Sequence, residues 1–490
     1  MPWKQPGAAV MASLLGPDQI NFIWESSGLR SKSSFFTVHE PGRFSYLGFS
    51  PATTISVHGD LAAIKSRSST VEYRCGIDFT DPLDLVQAAV EERFGCAAEA
   101  GPDLPPFVGG AVGFIAYDAI HYFEKIKDLK VHGSEPEICF ALVDRFIAID
   151  NKLQQLHLVS WPRVDESRDG AFWAESLFER LQQFNGLEQA DTNLEHKLAE
   201  DLSSKFSEQE FVDLVERAKQ YIVAGDIFQV VLSHKLSCVG EFDPLRCYAS
   251  LKSHNPSPYH YLLRFSDIDG ASAVLVGASP EVMMQSAPAD STGRTRVFMR
   301  PVAGTYPRAP EPEADLWQAQ SLLNDEKERA EHLMLVDLER NDIGREAEIG
   351  TVQVKDLFSV ETYRDVHHLV SEVSGVLPRG RHPLAALRSS FPIGTLAGTP
   401  KIRAMEIIAE LEGAGRGIFG GAVVMLGADG MLDSCVAIRN AVIRPHEVTV
   451  RAGAGIVHDS AAAREHRECH WKAQAVLNSL GFSACGEPQR

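Results

Sequence analysis

Two stretches of the sequence carry carboxylates at a spacing that could hold a cation. In NDEKERAEHLMLVDLERNDIGRE (324–346), Glu328 and Glu331 are three residues apart, so on a helix both project from one face. In AAAREHRECHWKAQAVLNSL (461–480), Glu465 and Glu468 repeat the spacing and Lys472 follows one turn later. Two such pairs converging would suit magnesium, which takes oxygen ligands from a few carboxylates, water and substrate. The same spacing also describes solvated helix faces bridged to neighbouring Lys and Arg. Spacing alone leaves both readings open.

Three glycine-rich segments read as loops able to meet an anion: RPVAGTYPR (300–308), FPIGTLAGTPK (391–401), which leads into the helical IRAMEIIAEL, and RAGAGIV (451–457). Glycine lets backbone N–H groups approach a ligand closely, and a helix N-terminus favours negative charge. None is a Walker loop or a dinucleotide fingerprint, and each also fits a plain tight turn.

The 490 residues correspond to about three domains of ordinary size. Lys and Arg total 47 against 66 Asp and Glu, a net charge of −19. That weighs against a nucleic-acid binder, which needs a basic field, and an anionic substrate would need a local basic pocket or a bound cation. No apolar run is long enough for a membrane span, and the start, MPWKQPGAAVMASLLG, is too weakly apolar for a secretory signal. The eight cysteines, Cys75, Cys96, Cys139, Cys238, Cys247, Cys435, Cys469 and Cys485, form no CxxC pair. Reduced thiols in a cytoplasmic enzyme are the simplest reading.

The elements that must position these groups follow from periodicity. TTISVHG (53–59), ICFALVDRFIAID (138–150) and LQQLHLVSW (153–161) read as strands, the last two joined through Asn151-Lys152 as a tight hairpin. A helix is expected over 169–184, then a polar linker over 186–206 that separates an N-terminal region, 1–185, from a C-terminal region, 207–490. Ser207 and Glu210 form a capping box for a helix that runs to about Ala224 and stops at Gly225. FQVVLSHKL, YHYLLRF and SAVLVGA read as strands, and Asp243-Pro244 opens a helix to about Lys252. Asp325 can cap the helix of the first acidic pair, with Glu328 at the capping-box position. Strands in hairpins with grouped helices favour an α+β fold over an alternating parallel one.

Taken together, the segments resemble the chorismate-utilising enzymes, and within them the anthranilate synthase large-subunit family. The motifs are GDIFQVVLS (225–233), NPSPY (255–259), GASPE (277–281), RPVAGT (300–305), KERAEHLMLVDLERND (327–342), VHHLVSEVSG (366–375), FPIGTLAGTPKIRAMEIIAELE (391–412), DSCVAIRN (433–440) and AGAGIVHDS (452–460). WES (24–26), GRFSYLGFSP (42–51) and PPFVGGAVGFIAYD (105–118) extend the likeness to the N-terminal region. The resemblance implies a two-sheet α+β sandwich flanked by helices, with the N-terminal region woven onto the C-terminal core. It implies Mg²⁺ held by Glu328, Glu331, Glu465 and Glu468 against a substrate carboxylate, which answers the charge problem. It also implies that Arg439 holds the enolpyruvyl carboxylate and that Lys472 lies near the ring carboxylate. Gly453, Gly455, Thr305, Thr395 and Phe419 complete the substrate cradle. Glu281 matches the acid that protonates the departing C4 hydroxyl, which needs a raised pKa. His368 matches the histidine that assists loss of pyruvate; the adjacent His367 stands where methionine is usual.

By the same resemblance, Gln229 stands where water-adding branches carry a lysine, and points to ammonia. Ala303 stands where the folate branch carries a nucleophilic lysine, which alanine cannot replace. Phe419 replaces a tyrosine, and one hydroxyl lost from a charged group is worth about 1.5–3 kcal/mol. Thr399, Asn440 and Ala309 also depart from the usual residues. They leave a second reading, an enzyme that stops at 2-amino-2-deoxyisochorismate. A non-catalytic paralogue is the third reading, against which all four glutamates are present. No cysteine has a Gly-x-Cys-x-Gly setting, so ammonia is expected from a separate glutamine amidotransferase subunit or from solution. A tryptophan inhibitor site is implied at Glu25, Ser26, Asn255, Pro256, Ser257, Pro258, Tyr259 and Cys435. Trp24 and His260 alter its apolar wall and weaken it.

Overall fold

The computed structural model describes residues 7–26, 42–49, 51–95, 104–131, 133–161, 169–182, 202–290, 293–363 and 366–482. Two large antiparallel sheets dominate it. In order across the first lie the strands Ser203–Ser204, Gln229–Val239, Glu447–Ile456, Asn440–Arg444, Ser272–Ser279, Tyr259–Ser266, Ile20–Ser26, Phe44–Phe49, Arg145–Asp150 and Gln155–Ser160. Across the second lie Val302–Pro307, Val366–Val376, Thr295–Met299, Val282–Pro288, Leu432–Val436, Ala422–Gly427, Gly110–Ile115, Ile138–Val143, Thr53–His58, Leu61–Ser66 and Thr70–Arg74. Helices flank both sheets, the α+β architecture that the sequence implies. In each sheet the strands from 1–185 form one side and those from 207–490 the other, joined where Ile20–Ser26 pairs with Tyr259–Ser266 and Gly110–Ile115 with Ala422–Gly427, so the two regions share their cores. Most of the expected linker, 186–201, lies outside the described residues, as do Cys96, Cys485 and the first six residues. Its end is a short strand, Ser203–Ser204, paired with Leu236 and Ser237. Among the described residues, no helix is long and apolar enough to cross a membrane.

Local signals hold where they are strongest. Ser207 and Glu210 form the reciprocal capping box of Glu208–Val223, and Gly225 follows at φ +84°. Asp243 Oδ1 accepts from the N–H groups of Leu245 and Arg246 to start Pro244–His254.

Three expectations are corrected. The apolar run 138–150 is two strands, Ile138–Val143 in one sheet and Arg145–Asp150 in the other, with the chain crossing at Asp144. A continuous apolar run carries no mark of where a strand changes sheets. The hairpin after it turns through four residues, 151–154, since Asp150 pairs with Gln155. Finally, two of the three glycine-rich segments are strands, Val302–Pro307 and Glu447–Ile456. Their glycines make room for neighbouring groups: an added Cβ on Gly455 would stand 2.8 Å from the Gln229 amide nitrogen. The third segment does turn, through the short helix Gly394–Ala397 into Lys401–Glu412.

A buried ionic knot ties four elements together behind the site. Glu412 accepts from Arg416 at 2.6 Å and from Arg451 at 3.2 Å, and from the N–H and hydroxyl of Ser233. Arg416 also donates to the carbonyls of Leu396 and Val231 and lies over the Tyr117 ring. Burial alone would raise the Glu412 pKa, but the two guanidiniums and these bonds hold it below the ordinary value. Its stabilisation is therefore full at neutral pH and is lost as pH falls through that lowered value. Removing one partner from such a cluster strands the other charges. We expect Glu412→Ala to lose about 3–5 kcal/mol in urea unfolding at pH 7, and Glu412→Leu to recover none of it while both arginines remain.

Candidate active site

The chain passes between the sheets twice in adjacent places. After Ser272–Ser279 it crosses through Pro280-Glu281 into Val282–Pro288; after Leu432–Val436 it crosses through 437–439 into Asn440–Arg444. Buried backbone donors must find partners, and the two crossings supply each other: Val436 N–H donates to the Glu281 carbonyl and Ala278 N–H to the Arg439 carbonyl. Arg439 holds a left-handed φ of +53°, a conformation that non-glycine residues adopt at a penalty and that clusters at functional sites. The crossings thus set the Glu281 carboxyl and the Arg439 guanidinium close enough to couple electrostatically.

Glu281 is 9% exposed. Burial pushes its pKa up to about 7, against the opposing pull of the Thr395 hydroxyl, Lys472 and Arg439. The Thr395 hydroxyl donates to Glu281 Oε1 at 2.6 Å. Burial lowers Arg439 to about 10, so it remains a cation at neutral pH. Lys472 donates to the Gly453 carbonyl at 3.0 Å and to Glu468 at 2.7 Å. Gln229 opens the neighbouring strand beside Gly455, and Phe419 packs 3.5 Å from where a Gly453 Cβ would stand. Glu281, Thr395, Arg439, Lys472, Glu468, Gly453, Gly455, Gln229 and Phe419 therefore form one linked neighbourhood.

His368 and Thr305 form a second cluster. His368 Nδ1 lies 2.9 Å from the Gly304 carbonyl and 3.1 Å from Thr305 Oγ1. A carbonyl only accepts, so Nδ1 carries the proton and Nε2 is the basic nitrogen. Burial lowers the His368 pKa, which keeps the ring neutral at pH 7. His367 differs: its two nitrogens meet Thr362 and Asp315, and it is buried. Gly304 holds a left-handed φ of +66°, which favours glycine, and a Cβ there would stand 3.0 Å from Glu328 Oε2.

Asp325 caps Glu326–Gly344 by accepting from the N–H groups of Lys327 and Glu328. In the carboxylate pairs, burial and then the neighbour's charge raise both Glu328 and Glu465. Glu331 leans on Lys327 at 3.6 Å. Oxygen-only donors of this kind fit a hard cation. Among the described residues, however, no three of these four carboxylates have oxygens within 4.8 Å of one another. The pairs are not drawn into one coordination sphere.

The expected inhibitor residues divide between the two faces of the first sheet: Tyr259 and Cys435 lie in the cluster between the sheets, whereas Glu25 faces the helix Pro244–His254. Glu25 accepts from Lys252 at 2.7 Å and from the Tyr248 hydroxyl; these partners hold its pKa below the ordinary value although burial pushes it up. Ser26 pairs with Tyr259 in register; its side chain lies outside what is described. Asn255 follows the helix Pro244–His254, and its carbonyl accepts from His260 Nε2. Pro256, Ser257 and Pro258 lead into Tyr259, whose hydroxyl donates to Asp433. Cys435 is buried in the same apolar cluster as Trp24 and Tyr259.

One residue of interest escaped the sequence reading. Glu339 is 2% exposed, and neither carboxylate oxygen has a hydrogen-bond partner. Burial, and then Glu281 and Asp342, raise its pKa far above the ordinary value, so it is a neutral acid. It lies eleven residues after Glu328, close to three full turns, and so on the same helix face. Continuing that face along the helix would have found it.

The chain belongs to the chorismate binding enzyme family, whose model matches residues 56–478. It is 42% identical over 412 residues to the anthranilate synthase component 1 of Thermus thermophilus, with 84% of this chain and 85% of that protein covered. With the Streptomyces coelicolor anthranilate synthase component 1 it shares 38% over 481 residues, 96% and 85% covered. The crystal structure of anthranilate synthase component I from Streptococcus pneumoniae matches with a TM-score of 0.75 at 33% identity, over 91% of this chain and 95% of that one. The menaquinone-specific isochorismate synthase of Escherichia coli shares the fold, with a TM-score of 0.70 at 18% identity over 98% and 93%.

The raised pKa of Glu281 has a checkable sign. A carboxyl more basic folded than unfolded weakens the fold as pH rises from the ordinary carboxylate range to about 7. We expect Glu281→Gln, which cannot ionise, to be more stable than wild type at pH 8 and indistinguishable at pH 4, measured by denaturant unfolding. Infrared difference spectra should show a protonated-carboxyl band that titrates near 7 in wild type and is missing in the variant.

Proposed function

We propose that this protein is a lyase of the anthranilate synthase component 1 type, which aminates chorismate at C2 and eliminates pyruvate to give anthranilate, the first step of tryptophan biosynthesis. The observation that carries the reading is a protonatable Glu281 held by Thr395 between two cations, Arg439 and Lys472. Chorismate has two carboxylates and a ring hydroxyl that must leave as water, and this arrangement is matched to it. Arg439 and Lys472 would each take a carboxylate. Neutral Glu281 would deliver its proton to the C4 oxygen as the C–O bond breaks. Ammonia, whose lone pair is available without a base, would form the new bond at C2 beside Gln229. His368 Nε2 would then remove the C2 proton; those electrons restore the ring while the C3–O bond breaks, and the released enolpyruvate takes up a proton to become pyruvate.

Glu328, Glu331, Glu465 and Glu468 are the residues that would hold Mg²⁺, which when bound would supply positive charge to a substrate carboxylate. A separate glutamine amidotransferase subunit would supply the ammonia. The relatives' designation as component 1 supports a two-component enzyme. The six described cysteines are free thiols, which supports a cytoplasmic setting.

Phe419 favours a second reading. Its ring packs near Gly453 and Arg416 without the hydroxyl that would bind the pyruvyl carboxylate, and an enzyme weakened there would release the aminated, non-aromatic intermediate. Product analysis with chorismate, ammonium and Mg²⁺ decides: anthranilate supports the first reading, the intermediate the second, and no turnover refutes both. In His368→Ala we expect the intermediate to accumulate and anthranilate formation to fall by about 10²–10⁴-fold, the usual worth of a positioned base. His367→Ala should keep the wild-type product ratio.

Feedback by tryptophan is the other finer proposal. Glu25 is already engaged by Lys252 and Tyr248, and the Trp24 indole lies edge-on to Tyr259 at 5.4 Å. The Trp24 ring crowds a site for a second indole between the sheets, and Glu25 is engaged on the opposite face, so we expect inhibition only at high tryptophan concentrations. Titration against chorismate turnover, with Trp24→Leu for comparison, checks this: the smaller residue should strengthen inhibition, and a wild type untouched by millimolar tryptophan would remove the proposal.

A further inference from the structure

Behind the helix Ala462–Ser479, on the side away from its Glu468–Lys472 pair, three imidazoles come together. His466 and His470 are one turn apart on that helix, and His234 lies in the strand Gln229–Val239, next in the sheet to the strand Glu447–Ile456 on which the helix packs. Their ring centroids are 4.7, 5.2 and 5.4 Å apart. One ring nitrogen of each lies within 4.8 Å of the other two; among the described residues this is the only set of three potential metal-ligating side chains so close. We propose that His234, His466 and His470 form a binding site for a divalent transition-metal ion of the zinc class, distinct from the carboxylate site for Mg²⁺.

Three independent features support this. First, the His466 and His470 Nε2 atoms are 3.3 Å apart. Two nitrogens each bonded to zinc at about 2.0–2.1 Å with a tetrahedral angle stand about 3.3–3.4 Å apart. The pair thus already has the bite of a tetrahedral centre. Second, the tautomer of His234 follows from its neighbours. The single hydroxyl proton of Ser204 goes to the Phe206 carbonyl at 2.7 Å. Ser204 Oγ must therefore accept from His234 Nε2–H at 2.6 Å. That leaves the lone pair on Nδ1, which is buried without a partner. A buried acceptor with nothing to accept is costly, and a cation would relieve it. The Ser204 contact is the kind of outer bond that fixes the tautomer of a ligating histidine. Third, three imidazoles and no carboxylate select borderline metals over Mg²⁺ or Ca²⁺. His466 and His470 are partly exposed, which leaves an entry path and a place for water as fourth ligand.

Such an ion would pin the helix that carries Glu465, Glu468 and Lys472 to the strand that begins at Gln229. The site lies on residues that the proposed reaction does not use, so its test is independent of turnover. The full chain, free of any histidine tag, would be titrated with Zn²⁺ and separately with Co²⁺ in excess Mg²⁺, by calorimetry and visible absorption. We expect one ion per chain, an intense tetrahedral-type Co²⁺ spectrum, and a zinc-dependent rise in unfolding temperature. His466→Gln/His470→Gln, changed at partly exposed helix positions, should weaken Zn²⁺ by more than about 100-fold, beyond the 10–100-fold that follows loss of a mere outer-shell partner. Glu465→Gln/Glu468→Gln should bind Zn²⁺ as wild type does. The proposal is overturned if wild type shows no saturable binding and no tetrahedral Co²⁺ spectrum. It is equally overturned if the histidine variant binds as tightly as wild type, or if the glutamate variant loses the ion.

Discussion

Where a polypeptide leaves one sheet and enters another, it must carry polar backbone through an apolar gap. Here two crossings do so side by side, and each satisfies the other: Val436 N–H to the Glu281 carbonyl, Ala278 N–H to the Arg439 carbonyl. Without that mutual pairing, each crossing would bury an unmet donor, a penalty of about 1–3 kcal/mol apiece. Because the crossings are held, two side chains that would otherwise be surface charges are carried inward. The acid and the guanidinium of the site are thus by-products of how the sheets are stitched together, and the left-handed backbone at Arg439 is tolerated because both flanking strands fix it.

The electrostatics follow from that placement more than from the charge of the chain. A protein with a net charge of −19 would seem ill suited to a dianion. Yet the field inside is set locally by Arg439 and Lys472, with Glu281 near neutrality and Glu339 kept protonated by burial. Directly behind, Glu412 pairs with both Arg416 and Arg451, with Asp118 and Glu135 adding negative charge nearby, and those guanidiniums brace the strand under Gly453. Cations that serve structure are paired by hydrogen-bonded carboxylates, whereas Arg439 is balanced only at a distance.

Much of this was legible in the residues. Capping boxes, Pro-started helices and alternating strands are local events governed by neighbours in sequence, and Ser207, Asp243 and Tyr259–Ser266 behaved accordingly. The change of sheet at Asp144 was not legible, because both halves of 138–150 are equally apolar. Nor was the strand nature of 451–457: glycine there answers to the Gln229 amide across the sheet, a partner more than two hundred residues away in sequence. The carboxylate pairs were visible by spacing, but spacing could not say that Glu331 and Glu468 would each lean on a lysine. Glu339 was hidden for the opposite reason, since a charged residue late in a helix looks solvated until tertiary packing encloses it.

The joining of early to late strands in both sheets has a consequence for how the chain comes into being. Ile20–Ser26 pairs with Tyr259–Ser266, and Gly110–Ile115 with Ala422–Gly427. On a ribosome adding roughly 5–20 residues per second, the second of these partners emerges roughly 15–60 s after the first. Through that interval the nascent chain presents open sheet edges with nothing of its own to cover them, the surfaces from which misassembly starts. Neither sheet can close until nearly the whole chain has been made, so the molecule folds late and all together. A product that stopped before Ala422 would lack two neighbouring strands of each sheet, Ala422–Gly427 with Leu432–Val436 in one and Asn440–Arg444 with Glu447–Ile456 in the other, and both sheets would be split.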